Sequence, residues 1–298
     1  MELRELEYFV AIAEHGNITY AAQQLYVSQP TLTKYLQRLE KELGLPLFQR
    51  TGRRLILTYA GERYLERARE MLNIRRDLEA ELADIRREDA GEFRVGMPPV
   101  RCSFSLPVVL PRFRQMHPNV RIQVMEDNSE ALDKALCEGR VDMNFYNFSV
   151  EDPRLEYQVL RRDAIYAVLA KGHPAARPAD SDGTPPVIRL ETLKDETFLL
   201  QKRTQRQGQY LYDLMRRQRV TPAQIQETSN IRAAVSLAAN GYGVAFVSGG
   251  LLRHFSGLGE FDAFRLADSH PLDFVAAWRR GSYLPGYTRD FIRLMQEI

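Results

Sequence analysis

Residues 17–57 constrain the fold of this chain more than any other segment, because two short helical patterns meet there at a tight turn. Apolar residues at helical spacing predict a further helix before them, over residues 3–14. Thr19 is placed to cap the second helix, and Ser28 is placed to cap the third. A basic hairpin follows at residues 47–57. Three short helices with a basic hairpin behind them are the layout of a winged helix-turn-helix.

The third helix has a polar face that suits DNA. A glutamine side chain can read adenine with two hydrogen bonds, and a threonine can contact a thymine methyl group or a phosphate. Lysine and arginine side chains suit phosphate oxygens. A solvated helix face has the same composition, so the helix alone leaves both interpretations open. The polar face carries Gln29, Thr31, Thr33, Lys34, Gln37 and Arg38, and the predicted apolar stripe carries Leu32, Tyr35, Leu36, Leu39 and Leu43.

The hairpin after the third helix favours the DNA-binding interpretation. Arg50, Arg53 and Arg54 lie on its tight turn, between apolar residues on either side. Arginines on such a turn can enter a narrow minor groove. The net charge of +2 for the whole chain is too small to indicate nucleic acid, so the prediction rests on these local basic clusters.

This segment resembles the N-terminal domain of LysR-type transcriptional regulators. The resemblance implies that Gln29, Pro30, Thr31, Thr33 and Lys34 approach DNA bases, and that Arg50, Arg53 and Arg54 serve the wing. With Thr19, Ser28 and Arg38, these residues form the predicted DNA-binding set. The motifs that carry the resemblance are Ala21-Ala22-x-x-Leu25, Ser28-Gln29-Pro30, Leu32-Thr33, Leu39-Glu40, Leu43-Gly44, Leu47-Phe48, Arg50 and Leu57-Thr58-Tyr59-Ala60-Gly61.

Residues 59–90 are predicted to form a linker helix. Tyr64, Met71, Leu78 and Ile85 repeat every seven residues, with charged residues on the other faces. Such a stripe is typical of a seam between two helices, although a single helix packed on its own domain would show it too. The resemblance favours dimerisation, since two winged domains can then span two DNA half-sites.

The remaining residues alternate between strand-like and helical segments, which predicts a parallel α/β sheet. They resemble the effector domain of the same family, which has the fold of periplasmic solute-binding proteins. The resemblance implies a winged domain at 1–58, effector subdomain I at 91–161 plus 268–298, and effector subdomain II at 162–267. The fold class is therefore multi-domain α+β. The motifs are Arg94-Val95-Gly96, Gly139-Arg140-Val141-Asp142, Gly172-His173-Pro174, Gly241-Tyr242-Gly243-Val244 and Ala277-Trp278-Arg279-Arg280.

An effector cleft is expected between the two subdomains, beyond the carboxyl ends of the strands. A loop is predicted over residues 98–103, before the helix that follows the first strand. The nominated side chains are mostly amides, hydroxyls and cations, which suits an anionic effector. Taken singly, each has a loop-capping or surface role as its alternative. The chain departs from the family at 203–207, where members often carry a glycine-rich run. The nominated residues are Met97, Pro98, Arg101, Ser103, Asn128, Ser129, Tyr146, Asn147, Gln201, Lys202 and Asn230.

Cys102 and Cys137 are the only cysteines, which suits a reducing cytoplasm and excludes a disulfide scaffold. A redox pair is the alternative to ordinary structural roles. Family members that sense peroxide carry their pair in the second subdomain, whereas both cysteines here fall in the first. No metal-ligand spacing, nucleotide loop or catalytic motif is present in the sequence, so no metal, cofactor or enzymatic activity is expected.

The sequence therefore predicts a bacterial-type, cytoplasmic transcription factor that responds to a small-molecule effector. Its expected partners are double-stranded promoter DNA, the effector and further copies of itself in a homodimer or homotetramer, with RNA polymerase as a further candidate. An architectural DNA-binding protein with an empty cleft is the second hypothesis, and ligand-induced thermal stabilisation separates the two. An enzyme with a solute-binding-like catalytic domain is the third.

Overall fold

The computed structural model describes residues 2–52, 54–86, 90–147, 152–175 and 186–298. Its backbone divides into two compact units. The first comprises Met1–Glu88 with Ser282–Pro285, and the second comprises Asp89–Gly281 with Gly286–Ile298.

The first unit is a winged helix-turn-helix followed by a long helix. A core of Phe9, Ile12, Leu32, Leu36 and Phe48 joins the three short helices to the hairpin. The long helix contributes Tyr64, whose ring centroid lies 4.5 Å from that of Phe9. The elements are α1 (Leu3–His15), α2 (Ile18–Gln24), α3 (Gln29–Leu43), β1 (Phe48–Thr51), β2 (Arg54–Leu57) and α4 (Tyr59–Ile85).

The structure corrects one of the two predicted helix caps. Asn17, not Thr19, caps α2, because its Oδ1 accepts hydrogen bonds from the backbone amides of Thr19 at 2.9 Å and Tyr20 at 3.3 Å. An Asn side chain at this position reaches the second and third amides of the helix, which otherwise lack partners. The predicted cap of α3 is confirmed, since the Oγ of Ser28 accepts from the backbone amide of Thr31. Leu43, expected in the apolar stripe of α3, is exposed at the end of the helix.

Helix α4 has an apolar stripe that its own unit does not cover. Tyr64, at the start of the predicted heptad pattern, packs against the winged core. The stripe that follows is between 40% and 70% exposed and consists of Met71, Ile74, Leu78, Leu82 and Ile85. Within the described part of the chain, no helix is both long enough and apolar enough to cross a membrane.

The second unit contains two mixed sheets flanked by helices. The strands are β3 (Ala90–Met97), β4 (Asn119–Glu126), β5 (Met143–Asn147), β6 (Leu155–Arg161), β7 (Ile165–Ala170), β8 (Val187–Ile188), β9 (Thr197–Gln201), β10 (Gln224–Thr228), β11 (Val244–Ser248), β12 (Phe261–Leu266) and β13 (Phe274–Arg279). The order of the five-stranded sheet is β4-β3-β5-β13-β6, and the order of the six-stranded sheet is β10-β9-β11-β7-β12-β8. The helices are α5 (Pro99–Met116), α6 (Ser129–Cys137), α7 (Arg206–Gln218), α8 (Ile231–Ala239), α9 (Gly249–Leu252) and α10 (Gly286–Gln296).

The expectation of purely parallel sheets is wrong. Strand β13 runs antiparallel to β5 and β6, and β7 runs antiparallel to β11 and β12. The chain leaves the five-stranded sheet after Arg161 and returns to it at Phe274. A helix between two strands predicts parallel pairing only when both strands belong to the same sheet. The two segments in which the chain passes from one sheet to the other do not meet this condition. The division into subdomains at 161/162 and 267/268 stays a prediction.

Candidate DNA-binding surface and effector cavity

The N-terminal half of α3 presents an exposed polar surface. Gln29, Pro30, Thr31 and Lys34 are all exposed there. The hydroxyl oxygens of Ser28 and Thr31 lie 2.7 Å apart, and the Ser28 hydroxyl also caps the helix. Ser28 therefore has a structural role at this surface, whatever contact it makes with DNA.

Gln29 is held by its neighbour one turn later. Its Nε2 donates to the Oγ1 of Thr33 at 3.1 Å, and the Thr33 hydroxyl donates to the backbone oxygen of Gln29. This pair fixes the rotation of the amide and leaves its Oε1 and second N–H available. Those two groups are the acceptor and the donor that a bidentate contact with adenine requires.

Arg38, the last predicted contact on α3, has protein partners in this structure. It forms an ion pair with Glu5 of α1 and lies 3.8 Å from the Oε1 of Glu42. Its contact with a phosphate stays a prediction that requires these exposed ion pairs to exchange, and exposed pairs exchange at little cost.

The wing places its arginines on two faces. Arg54 pairs with Thr51 across the hairpin, whereas Arg50 pairs with Leu55. Because side chains alternate along a strand, these two register positions face opposite sides. Gly52 in the turn has a φ of 62°, a conformation that glycine adopts without strain. Arg53 lies outside the described residues.

We expect Gln29→Ala to relax base discrimination. The lost contact should reduce discrimination at one position of each half-site by about 1–3 kcal/mol. The measurement is a comparison of affinities for cognate and scrambled duplexes at one fixed salt concentration. Equal losses on both duplexes would show that Gln29 does not read sequence.

Thr33→Val is the matched variant for the orienting hydrogen bond. It keeps the branched shape of the side chain and removes the hydroxyl that holds the Gln29 amide. We expect a smaller loss of discrimination than for Gln29→Ala, at the same base position.

Arg54→Ala should weaken binding to every DNA sequence by a similar factor. Loss of one phosphate contact should reduce the slope of log K against log salt by about 1, and a double variant with Arg53→Ala should reduce it further. Arg216→Ala is the control, since Arg216 is an exposed arginine on α7 of the second unit. An unchanged salt slope for the wing variants would exclude groove or phosphate contact by the wing.

The second unit contains a cavity of ≈ 730 Å³ lined by both of its sheet systems. Ten of the eleven nominated effector residues line it. The exception is Met97, the last residue of β3, whose side chain is fully buried. Successive side chains along a strand point to opposite faces, and the side chain of Met97 points into the core instead of the cavity. The lining residues are Pro98, Pro99, Val100, Arg101, Ser103, Glu126, Asp127, Asn128, Ser129, Tyr146, Asn147, Gln201, Lys202, Thr204, Gln205, Arg206, Gln207, Ser229, Asn230, Ile231, Arg232 and Leu251.

Four helices begin at this cavity. Asn128 and Asn230 cap α6 and α8 with their side chains. Helices α5 and α7 follow Pro98 and Gln205, neither of which gives a side-chain cap. Each helix N-terminus carries roughly half a positive charge, and an uncapped one keeps its first amide donors available. The helix α5 begins at Pro99, so the predicted loop over 98–103 is wrong.

Close packing brings α7 to the cavity. A Cβ at Gly208 would lie 2.3 Å from the backbone oxygens of both Gln201 and Lys202. Only glycine permits this approach of the first turn of α7 to the end of β9. The approach places Gln205 and Arg206 on the cavity wall.

Arg101 is the buried cation of the cavity. It is 5% exposed, its Nη2 donates to the Oδ1 of Asn147 at 2.9 Å, and its guanidinium lies 4.1 Å from the ring centroid of Phe274. Burial, with the nearby charges of Arg161 and Arg253, lowers the pKa of Arg101 to about 10, and Asp163 opposes this shift. A buried cation whose hydrogen-bond partner is a neutral amide is poorly compensated, so an anion in the cavity would stabilise it.

The charged residues of the lining have an excess of cations. Two carboxylates, Glu126 and Asp127, line the cavity. Asp127 is already engaged, because its Oδ1 accepts from both the backbone and the side-chain amide of Asn128. The four cations are Arg101, Lys202, Arg206 and Arg232.

One polar cluster beside the cavity was not predicted from the sequence. Arg206 at the start of α7 forms an ion pair with Asp133 of α6. The hydroxyl of Tyr146 donates to the Oδ1 of Asp133 at 2.6 Å, and the guanidinium lies 5.4 Å from the Tyr146 ring centroid. Burial raises the pKa of Asp133 above its usual range, although Arg206 opposes this shift. The sequence signal for this cluster lay at residues 203–207, where the chain departs from the family's glycine-rich run. That departure brings Arg206 to the cavity wall.

The thiol of Cys102 is buried, and Cys137 is half-buried. Cys102 lies within α5 rather than in a loop, and its Sγ donates to the backbone oxygen of Met97 at 3.6 Å. Burial raises the pKa of Cys102 to about 12, with a contribution from Glu126, and burial also raises the pKa of Cys137. Oxidation proceeds through the thiolate, so these environments favour structural roles. The described residues contain no group of three or more His, Cys, Asp or Glu side chains placed to hold a metal ion.

Comparison with known proteins identifies both units. Residues 3–62 match the model of the bacterial regulatory helix-turn-helix protein, lysR family, and residues 86–298 match that of the LysR substrate binding domain. The HTH-type transcriptional regulator BenM of Acinetobacter baylyi is 30% identical over 251 residues, which cover 83% of this chain and 80% of BenM.

Solved structures share the fold over the whole chain. A single-residue variant of OxyR from Pseudomonas aeruginosa, solved at its full length, superimposes with a TM-score of 0.77 at 23% identity, covering 99% of this chain and 98% of that one. Full-length CbnR in complex with its target DNA superimposes with a TM-score of 0.59 at 24% identity, covering 100% of this chain and 99% of CbnR.

Proposed function

The chain belongs to the LysR family of transcriptional regulators, and we propose that it regulates transcription in response to a small anion bound in the cavity of its second unit. Helix α3 and the β1–β2 wing are the DNA-contacting parts in this proposal. The exposed, preoriented amide of Gln29 and the arginines of the wing support that assignment. The complex of CbnR with its target DNA supports it as well, since CbnR shares the fold.

The observation that carries the anion is the convergence of four helix N-termini on a cavity that also contains the buried Arg101. The amide donors and partial positive charges of α5 to α8 then act on one ligand. A neutral ligand would leave the charge of Arg101 only partly compensated, whereas a carboxylate or phosphate can pair with it through a charge-assisted hydrogen bond.

The response to the effector is proposed to pass through the contact between α6 and α7. The Asp133–Arg206 ion pair links the five-stranded and six-stranded parts of the second unit, and Arg206 also lines the cavity. An anion that competes for Arg206 changes the balance between two arrangements of these parts. It shifts their populations only as far as its affinities for the two arrangements differ.

The test is a thermal-shift screen of the full chain with small carboxylates and amino acids, followed by DNA titrations with each compound that stabilises it. A bound anion at 100 times its Kd should stabilise the folded protein by about 2.7 kcal/mol. We expect at least one stabilising anion to change the affinity for promoter DNA. Failure of every compound to stabilise the protein would favour the architectural DNA-binding protein with an empty cleft instead. Stabilising anions that leave DNA affinity unchanged would contradict a regulatory role for the bound anion.

Asp133→Asn should increase the affinity for the anion. The substitution removes the negative charge that neutralises Arg206 and keeps a side chain of the same shape. Loss of one opposing charge at a partly buried site should tighten anion binding by about 3- to 10-fold, or roughly 1 kcal/mol. The measurement is calorimetric titration with the anion found in the screen. Weaker binding would show that Asp133 positions Arg206 rather than competing with the ligand.

The remaining assignments follow from family membership. The relative BenM is a transcriptional regulator, so we propose that this chain is a regulator rather than an enzyme. We also propose a cytoplasmic location, which a DNA-binding role supports, and a homodimer or homotetramer joined through α4, which the exposed apolar stripe of that helix supports. A contact with RNA polymerase stays a prediction.

A further inference from the structure

We propose that Tyr26, in the turn between α2 and α3, contacts the sugar–phosphate backbone of DNA at the edge of the major groove. This inference rests on the proposed DNA-contacting role of α3. It adds a residue that the predicted DNA-binding set does not contain. Because the tyrosine side chain is neutral, its contribution to binding can be told apart from that of the wing arginines.

Tyr26 ends α2 in a left-handed backbone conformation that tyrosine rarely adopts. Its φ is 53°. Two hydrogen bonds fix this conformation, since the amide of Tyr26 donates to the oxygen of Gln23 at 3.2 Å and the amide of Val27 donates to the oxygen of Ala22 at 3.0 Å. Glycine is the preferred left-handed residue of such a helix end. Helices α1 and α3 of the same unit do end on a left-handed glycine.

The side chain of Tyr26 gains no packing from the protein in return. It is 97% exposed, and neither its ring nor its hydroxyl has a partner within the described part of the chain. Val27, the next residue, packs against the winged core instead. For folding alone, glycine would therefore suit position 26 better. Unfavourable backbone conformations concentrate at functional sites, so this exposed aromatic ring is a candidate for contact with another molecule.

The position of Tyr26 identifies DNA as that molecule. Tyr26 lies two residues before Ser28, the cap of α3, so their Cα atoms are at most about 7 Å apart. In a helix-turn-helix, the first residues of the recognition helix contact base edges while the preceding helix crosses the DNA backbone. The turn that joins the two helices therefore passes the edge of the groove, where phosphates lie. A phenolic hydroxyl can donate to a phosphate oxygen there.

A neutral contact with the DNA backbone has two expected properties. Tyrosine carries no charge that displaces a counterion, so its loss should leave the slope of log K against log salt unchanged. Phosphate contacts carry no direct sequence information, so its loss should weaken cognate and scrambled duplexes equally. The first property separates Tyr26 from Arg54, and the second separates it from Gln29.

The experiment measures the affinity of the full chain for the cognate and scrambled duplexes over a series of salt concentrations. Tyr26→Phe removes the hydroxyl and should weaken binding to both duplexes by about 10-fold, because a hydrogen bond to a charged group is lost. Tyr26→Gly also removes the ring and should weaken both further. Tyr242→Phe is the control, since Tyr242 is a 54% exposed tyrosine of the second unit, and both affinities should be unchanged.

The phosphate itself can be located with duplexes that each carry one neutral methylphosphonate. At one position in each half-site, this replacement should abolish the difference in affinity between Tyr26→Phe and the unmodified chain. If the difference persists at every position, Tyr26 does not contact a phosphate.

Thermal unfolding distinguishes a DNA contact from a structural role. Tyr26→Gly relieves the left-handed tyrosine, so the unfolding temperature of the full chain should rise or stay unchanged while DNA binding weakens. A lower unfolding temperature together with weaker DNA binding would assign Tyr26 to the fold instead and overturn the inference.

The remaining outcomes separate this inference from the proposed function. Unchanged DNA affinity in both Tyr26 variants, with the effects of Gln29→Ala and Arg54→Ala intact, would overturn the inference and leave the proposed function in place. A loss confined to the cognate duplex would place Tyr26 on a base and also overturn it. Intact DNA affinity with loss of transcription in vitro would indicate a protein partner instead. Failure of the unmodified chain to bind either duplex would overturn both.

Discussion

Leu78→Asp is expected to separate the protein into monomers and to abolish tight binding to DNA that carries two half-sites. Leu78 lies in the middle of the exposed apolar stripe of α4 and is 53% exposed in the single chain. If a second copy covers the stripe, the substitution places an unpaired carboxylate in an apolar seam, which is costly. Loss of the dimer then removes the avidity of two linked winged domains, a factor of about 10²–10⁴ in affinity.

Ala80→Asp is the matched control. It adds the same charge on the same helix, but about 200° around the helix from position 78. Sedimentation should show a smaller species for Leu78→Asp and the native assembly for Ala80→Asp, and DNA affinity should follow the same order. An unaltered assembly for Leu78→Asp would place the self-association surface elsewhere on the chain.

The sequence predicted the winged unit well because its signals are local. The cap at Ser28 and the glycine at the end of α3 each act within one turn of helix, and the structure shows both. The misplaced cap of α2 was also a local error. Asn17 and Thr19 are both good caps, and only the backbone geometry shows that Asn17 reaches the free amides.

The second unit was predicted less completely because its sheets depend on distant pairings. Strand β13 lies between β5 and β6 and runs antiparallel to both. Nothing in the sequence near Phe274 indicates this position or direction. The cavity residues after strand ends were found, since ligands bind at the carboxyl ends of strands. Arg206 and Asp133 were missed because their role depends on the approach of α7 to α6 and β9, which the small size of Gly208 permits.

Arg101→Met should remove most of the affinity for the anionic effector without destabilising the protein. A hydrogen bond to a charged group contributes about 1.5–3 kcal/mol, so its loss should weaken binding by at least about 10-fold. Folding should be unaffected or favoured, because Met fills a similar volume and removes a buried charge that is only partly compensated. The measurements are calorimetric titration with the anion and chemical denaturation without it.

Arg232→Met is the control within the same cavity. Arg232 also lines the cavity, but it is exposed to solvent. Its guanidinium lies 5.7 Å from the ring centroid of Phe104. Water already solvates and screens this charge, so its removal should change anion affinity by less than about 3-fold. Equal losses of anion affinity in both variants would mean that the overall positive charge of the cavity, not Arg101 in particular, binds the anion. An undiminished affinity in Arg101→Met would place the anion away from the buried end of the cavity, and the convergence of helix N-termini there would need another explanation.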